Sequence, residues 1–259
     1  MKVAILCGGM GTRLREETEF RPKPMVHIGN RPILWHIMKI YSHYGFKEFV
    51  LCLGYKGEMI KKYFYHYALV NNDVTVRLGR EGAVEIHDTS EEDDWRVTLV
   101  NTGEHALKGA RLKRTEKYLT DDVFMVTYGD GVADVDIGQL LAFHRQHGKL
   151  ATLLGVRPPS LFGELKVEKD RATLFVEKPQ TSSGVINGGF FVFNRAIFDY
   201  LSDDDTCDFE RGPLEKVAAN GELMVLIHDG FWACMDTYRD VEYLNQLWKT
   251  GQAPWKAWR

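Results

Sequence analysis

The sequence predicts an α/β protein: a doubly wound, Rossmann-like mixed sheet carrying an inserted antiparallel flap. Three observations carry that prediction. Short continuous apolar runs at 3–7, 49–53 and 123–127 read as strands buried on both faces. Segments with helical apolar spacing alternate with them. Between residues 71 and 107 the rhythm changes to short alternating runs split by glycines.

Each element has a local reason. Residues 3–7 form the first strand and run into a glycine-rich stretch. Pro32 opens a helix whose apolar stripe is Ile33, Leu34, Ile37, Ile40, Tyr41 and Tyr44, and Gly45 stands where a C-terminal cap belongs. Residues 49–53 make the next strand, ended by Gly54, and 57–69 read as a second helix. The flap, 71–107, is expected to use runs at 74–78, 84–86 and 97–100, with acidic residues 91–94 as a solvated turn. A basic helix follows near 109–119, then a strand at 123–127. Asp136 and Gln139 suit a capping box for a helix ending at Gly148. A strand at 151–156, a hairpin from 165–167 and 173–176, and a strand at 188–193 come next. The C-terminal part, 195–259, holds a helix near 213–219, a strand at 223–227 and a last helix near 238–249. No repeat, low-complexity linker or sharp composition shift divides the chain, so 1–259 reads as one domain.

Composition narrows the function classes. The chain has 259 residues, 44% of them hydrophobic, with 33 Lys and Arg against 36 Asp and Glu. That balance excludes a disordered tail, a collagen and a small disulfide scaffold. A net charge of −3 argues against a nucleic-acid partner. No apolar run nears the ~18 residues that cross a bilayer, and the apolar N-terminal stretch is too short for a signal peptide. No membrane partner is expected. Cys7, Cys52, Cys207 and Cys234 lie far apart with no C-x-x-C spacing, so they are expected as free thiols in a reducing cytoplasm rather than zinc ligands.

The chemistry concentrates after the first strand. Leu6-Cys7-Gly8-Gly9-Met10-Gly11-Thr12-Arg13-Leu14 is a glycine-rich turn that lets backbone N–H groups approach a ligand. It is not a P-loop, because no Gly-Lys-Ser/Thr closes it, and Leu14 occupies the third glycine position of a dinucleotide fingerprint. Arg13, Arg15, Arg21 and Lys23 crowd the same region. Pro22 and Pro24 stiffen Lys23 and favour an extended backbone there, as a cation that meets a phosphate at a set distance would need; the competing reading is a solvated surface lysine. Asp130, between Gly129 and Gly131 at the carboxyl end of a strand, can approach a metal and a phosphate together, or be a turn aspartate. Arg111 begins a basic run that alone reads as an exposed helix face. His144 and His147 share a helix face without an evident third ligand, and Trp248, Trp255 and Trp258 read as packing or subunit contacts.

Gly8-Gly9-x-Gly11-Thr12-Arg13-Leu14, followed by Pro22-Lys23-Pro24-Met25, resembles the signature of the sugar-1-phosphate nucleotidyltransferases. The resemblance spans essentially the whole chain. Further matching segments are Glu177-Lys-Pro179, Ile186-Asn-Gly-Gly-Phe-Phe191 and Met235-Asp-Thr237, and the resemblance is closest to the cytidylyl branch, for which Thr127-Tyr-Gly-Asp-Gly-Val-Ala-Asp134 and the tail Ala253-Pro-Trp-Lys-Ala-Trp258 are the more specific. It implies transfer of CMP from CTP to glucose 1-phosphate, with Mg²⁺ on Asp130 and Asp236. It implies Arg13, Lys23, Asp130 and Lys178 as catalytic groups. Leu6, Gly8, Gly9, Met10, Gly11, Thr12, Arg13, Lys23, Arg111 and Gly129 would bind the nucleotide. Glu177, Lys178, Asn187 and Gly188 would bind the sugar phosphate. A homo-oligomer, a hexamer by resemblance, is also implied. The chain departs from the cytidylyl pattern at Ala106, Ala110, Leu161 and Glu164, which leaves another nucleotide or another phosphorylated acceptor open. A non-catalytic sugar-nucleotide sensor would have lost the charged residues, and all five of Arg13, Lys23, Asp130, Lys178 and Asp236 are present.

Overall fold

The structure, a computed structural model, describes residues 1–78, 83–87, 92, 94–158, 164–176 and 184–258. Its first half contains β1 (Lys2–Cys7), the short helix α1 (Arg15–Thr18), the two-residue strands β2 (His27–Ile28) and β3 (Arg31–Pro32), α2 (Ile33–His43), β4 (Glu48–Leu53), α3 (Gly57–Tyr65) and α4 (Tyr67–Asn71). Then come the hairpin β5 (Val74–Val76) and β6 (Val84–Ile86), β7 (Arg96–Asn101), α5 (Lys108–Arg114), β8 (Val123–Tyr128), β9 (Gly131–Ala133) and α6 (Ile137–His147). The second half continues with β10 (Ala151–Val156), β11 (Glu164–Glu168), β12 (Arg171–Val176), β13 (Ile186–Asn194), α7 (Glu215–Ala219), β14 (Leu223–His228), β15 (Trp232–Cys234) and α8 (Tyr238–Lys249).

Seven strands form the central sheet in the order β14-β10-β13-β8-β1-β4-β7. All run parallel except β13, which opposes both β8 and β10. The carboxyl ends of β1, β4 and β8 therefore share one edge with the start of β13. Ligands of such sheets bind at that edge. Alternate side chains of β1 feed two cores: Val3, Ile5 and Cys7 pack on the side of α2 and α8, and Ala4 and Leu6 on the other. The second core holds the rings of Phe124, Phe191, Phe193, Phe198 and Phe209, each buried. Each such ring contributes about 1.5–3 kcal/mol over leaving it exposed.

Four expectations change. The strand at 97–100 is not part of an antiparallel flap: β7 is the parallel edge strand beside β4. An edge strand is covered incompletely: Val97, Thr98 and Leu99 are half-buried and Val100 is buried, while the end residues Arg96 and Asn101 are exposed. Only β5 and β6 make the antiparallel insertion, and both are exposed. The helix at 57–69 breaks at His66 into α3 and α4. The basic helix near 109–119 is shorter and earlier, ending at Arg114. Lys23 is not extended: Pro22 is, at ψ 148°, while Lys23–Met25 makes a 3₁₀ turn closed by Met25 N–H to Pro22 O at 2.8 Å.

Other local readings hold. Of the capping box expected at the start of α6, the N-cap half is present, Asp136 accepting from Gln139 N at 2.9 Å, and Gly148 closes the helix at φ 65°. Residues 164–176 form the antiparallel hairpin β11–β12. Trp255 is fully buried and Trp248 lies 4.6 Å from the His36 ring, so these tryptophans pack the tail onto α2. His144 meets Thr152 and Asn194 rather than a third metal ligand. The four cysteines are free thiols. No helix among the described residues is long and apolar enough to cross a membrane.

Candidate active site

The loop after β1 turns at Gly11, whose φ of 63° suits a residue without a Cβ. A second constraint acts at Gly8. A Cβ there would stand 2.2 Å from Arg111 Nη1, and one at Gly54 would stand equally close. The Arg111 guanidinium is buried between them. It donates to Gly8 O at 3.0 Å, Leu53 O at 3.2 Å, Thr102 Oγ1 at 3.1 Å, Gly103 O at 2.5 Å and Glu104 O at 3.0 Å. Arg111 thus ties the glycine loop to the ends of β4 and β7. It is not on an exposed helix face.

The two aspartates meet through a pairing the sequence did not announce. β9 and β15 run antiparallel with Cys234 opposite Gly131, and Met235 N donates to Asp130 O at 2.8 Å. That three-residue ladder brings Asp236 beside Asp130. Lys23 Nζ then sits 2.6 Å from Asp130 Oδ2 and 2.6 Å from Asp236 Oδ1. Arg13 Nη1 lies 2.8 Å from the other oxygen of Asp236. Lys23 is buried and not a solvated surface lysine.

The charges support one another. Burial alone would lower the Lys23 pKa, but Asp130, Cys234 and Asp236 outweigh it and raise it above the ordinary lysine value. Burial would likewise raise Asp236, yet Lys23 and Arg13 hold its carboxyl below the usual range. The Lys23 ammonium and the Asp236 carboxylate are therefore charged at neutral pH. Arg13 and Lys23 are each paired with a carboxylate.

These groups line one cavity of about 510 Å³. Its wall includes Leu6, Gly8, Gly9, Gly11, Thr12, Arg13, Lys23, Arg111, Gly129, Asp130, Asn187 and Asp236. Met10 is exposed and is not part of that wall. Gly188 is outside the wall too, its carbonyl accepting from Trp232 Nε1 at 2.8 Å. Glu177 and Lys178 lie outside the described residues, as does Leu161.

The wall residues missed in the sequence include Lys108, Tyr128, Trp232 and Cys234. Tyr128 donates to Glu210 Oε1 at 2.6 Å and accepts from Asn187 Nδ2 at 3.0 Å. Lys108 pairs with Glu210 and lies 5.0 Å from the Tyr128 ring. The second Glu210 oxygen is buried and has no partner among the described residues. Tyr128 sits inside the run that marked Asp130, so a search of that run for side chains able to reach a sugar would have found it.

The arrangement defines a class: a sheet-edge pocket with a glycine-rich loop, carboxylate-held cations and paired aspartates suits transfer between phosphate esters. Residues 2–251 match the nucleotidyl transferase family, and the chain belongs to it. Members of that family in general use a divalent metal ion. Over 259 residues, the whole of both chains, it is 51% identical to the glucose-1-phosphate cytidylyltransferase of Salmonella typhi. It is also 51% identical, over the same span, to that of Salmonella typhimurium. In fold it resembles HddC from Yersinia pseudotuberculosis, with a TM-score of 0.69 over 95% of this chain and 99% of that one at 22% identity.

Proposed function

We propose that the chain transfers CMP from CTP to α-D-glucose 1-phosphate, giving CDP-glucose and pyrophosphate. One observation carries the proposal. The glycine loop, Arg13, Lys23, Asp130 and Asp236 converge on a single cavity in a chain that aligns end to end with glucose-1-phosphate cytidylyltransferases.

The acceptor's phosphate oxygen is already anionic, so its attack on the α-phosphorus of CTP needs no general base. The new O–P bond forms as the bond to pyrophosphate breaks, and pyrophosphate leaves with the electron pair. The barrier is repulsion between two polyanions, so catalysis rests on positioning and charge. In this reading the backbone of 8–12, with Leu6 and Gly129 beside it, holds the nucleotide, and Arg111 fixes that loop. Arg13 and Lys23 exchange their carboxylate partners for the triphosphate and the departing pyrophosphate. Lys178 aims the acceptor phosphate, Glu177 accepts from sugar hydroxyls, and Asn187 and Gly188 border the sugar. Asp130 and Asp236 offer oxygen donors around a position where the Lys23 ammonium now stands, which fits a hard cation. Mg²⁺ held there would neutralise and polarise the nucleotide phosphates.

A pyrophosphate-release screen of CTP, UTP, GTP, ATP and dTTP against several sugar phosphates tests this. Release with CTP and glucose 1-phosphate alone is expected. Faster release with another pair would reassign the substrates, and none with any pair would favour the sensor. We also read the protein as a cytoplasmic homo-oligomer, a hexamer by resemblance. Its free thiols fit a reducing compartment, and exposed Val74, Val76, Leu78, Val84 and Ile86 support self-association. Sedimentation at the monomer mass would refute the oligomer.

A further inference from the structure

The cavity carries a sulfur that phosphate transfer does not use. The β9–β15 ladder that delivers Asp236 also delivers Cys234, two residues earlier, opposite Gly131. One donor atom each from Asp130, Cys234 and Asp236 lies within 4.8 Å of the others. Two donors bonded to one metal at about 2.0–2.3 Å can lie up to roughly 4.5 Å apart, so small side-chain rotations close this set on one ion. A positive charge already stands between the two carboxylates: Lys23 Nζ, 2.6 Å from each. The geometry of three donors around a held cation is independent of any nucleotide.

Two carboxylates and a thiol are a mixed donor set. Mg²⁺ gains nothing from sulfur, whereas Zn²⁺, Co²⁺ and Cd²⁺ bind thiolate strongly. We propose that Cys234 is a third protein ligand at this site for thiophilic divalent cations, which displace Lys23 from between the aspartates and exclude Mg²⁺. The proposal rests on reading Asp130 and Asp236 as the metal pair. On binding, a sulfur–metal bond replaces the S–H bond, and the proton leaves to water. Lys23, no longer held by the carboxylates, swings out of the seat. Exposure to Zn²⁺ therefore inactivates the enzyme through the same side chains that hold its working cation.

The test uses the intact protein without nucleotide. Titration with Co²⁺ should give a near-ultraviolet thiolate-to-cobalt charge-transfer band that saturates at one equivalent and disappears in Cys234→Ser. Co²⁺ and Zn²⁺ affinity should fall at least about tenfold in that variant, with Mg²⁺ affinity unchanged within about twofold. In the wild type, Zn²⁺ should slow alkylation of Cys234, read by peptide mass, by at least about tenfold. That readout does not depend on the variant folding. If Cys234→Ser keeps the band and the affinity while Asp236→Asn loses both, the aspartate pair stands and the sulfur ligand is refuted. If Asp236→Asn binds Co²⁺ as the wild type does, both readings fall. Unprotected alkylation of Cys234 at saturating Zn²⁺ also overturns the proposal.

Discussion

Acid should loosen the chain at His36. This ring lies on α2 without solvent contact. Its Nε2 is 3.0 Å from Ile28 O, and its Nδ1 is 3.4 Å from Trp255 Nε1. A carbonyl only accepts and an indole N–H only donates, so the ring must be neutral with its proton on Nε2. A proton on Nδ1 would face the indole donor. Burial, with smaller help from Arg31 and His27, lowers its pKa from 6.5 to about 4. The unfolded ring binds a proton near 6.5 and the folded ring near 4, so stability is full above 6.5 and drains as pH falls toward 4. The gap between 6.5 and about 4, at about 1.36 kcal/mol per pH unit, amounts to about 3.4 kcal/mol. About 2 kcal/mol of it is gone at about pH 5. Urea melts of wild type and His36→Gln at about pH 7.5 and about pH 5 isolate the effect, because His144 and His147 titrate alike in both proteins. The variant is weaker throughout, since Trp255 loses its acceptor. Its loss on acidification should be about 2 kcal/mol smaller than that of the wild type. Equal losses within about 0.5 kcal/mol would refute the assigned tautomer and the buried clamp.

Three other outcomes are expected. Lys23→Met should lower kcat at least about 100-fold, about 2.7 kcal/mol, while tightening metal binding without nucleotide, because no ammonium competes for Asp130 and Asp236; a kcat within about threefold, seen by pyrophosphate release, would contradict the charge assignment. Gly8→Ala drives a methyl to 2.2 Å from the locked Arg111 guanidinium, so thermal melting should report a loss of about 1–3 kcal/mol and calorimetry a weaker nucleotide complex; a variant as stable as wild type would mean that Arg111 does not hold the loop. Tyr128→Phe removes the donor to Glu210 and the acceptor of Asn187, so it should cost about 1–2 kcal/mol in chemical denaturation and raise the acceptor KM more than the nucleotide KM; a rise confined to the nucleotide would put Tyr128 on the wrong side of the cavity.

The parts of the fold legible in the sequence are those whose environment is uniform. β1, β4 and β8 are covered on both faces and read as continuous apolar runs; α2 and α6 carry their own stripes and caps. β7 was read as flap because an edge strand is short of cover and its run is only partly apolar, as a flap strand's would be. The β9–β15 ladder was invisible because three residues joined to three others leave no periodic trace. The burial of Lys23 had the same obstacle: its partners are 107 and 213 positions away. Proline on either side hinted at rigidity but gave the wrong backbone, since the 3₁₀ turn satisfies Met25 and Val26 amides that an extended segment would leave open.

The glycine signature carries more than one physical meaning, and the structure separates them. Gly11 serves the turn itself through its left-handed φ. Gly8 serves a different end, because the absent Cβ makes room for a cation beneath the loop. Gly54, just past the end of β4 and outside the signature, makes the same concession to the same guanidinium. Two glycines distant in sequence and joined by Tyr55 N–H to Gly8 O at 3.2 Å thus form a slot, and Arg111 fills it. A buried cation whose two Nη groups end on four carbonyls and a hydroxyl lends its positive potential to the loop surface from a fixed seat. On the proposed function, Arg13 and Lys23 would trade carboxylate partners for the polyanion, while Arg111, tied to backbone carbonyls, would keep the loop in shape. A site that must accept a polyanion, release pyrophosphate and reset needs both kinds of cation, because a cation locked onto the product would hold it and a loop without a buried anchor would lose its form.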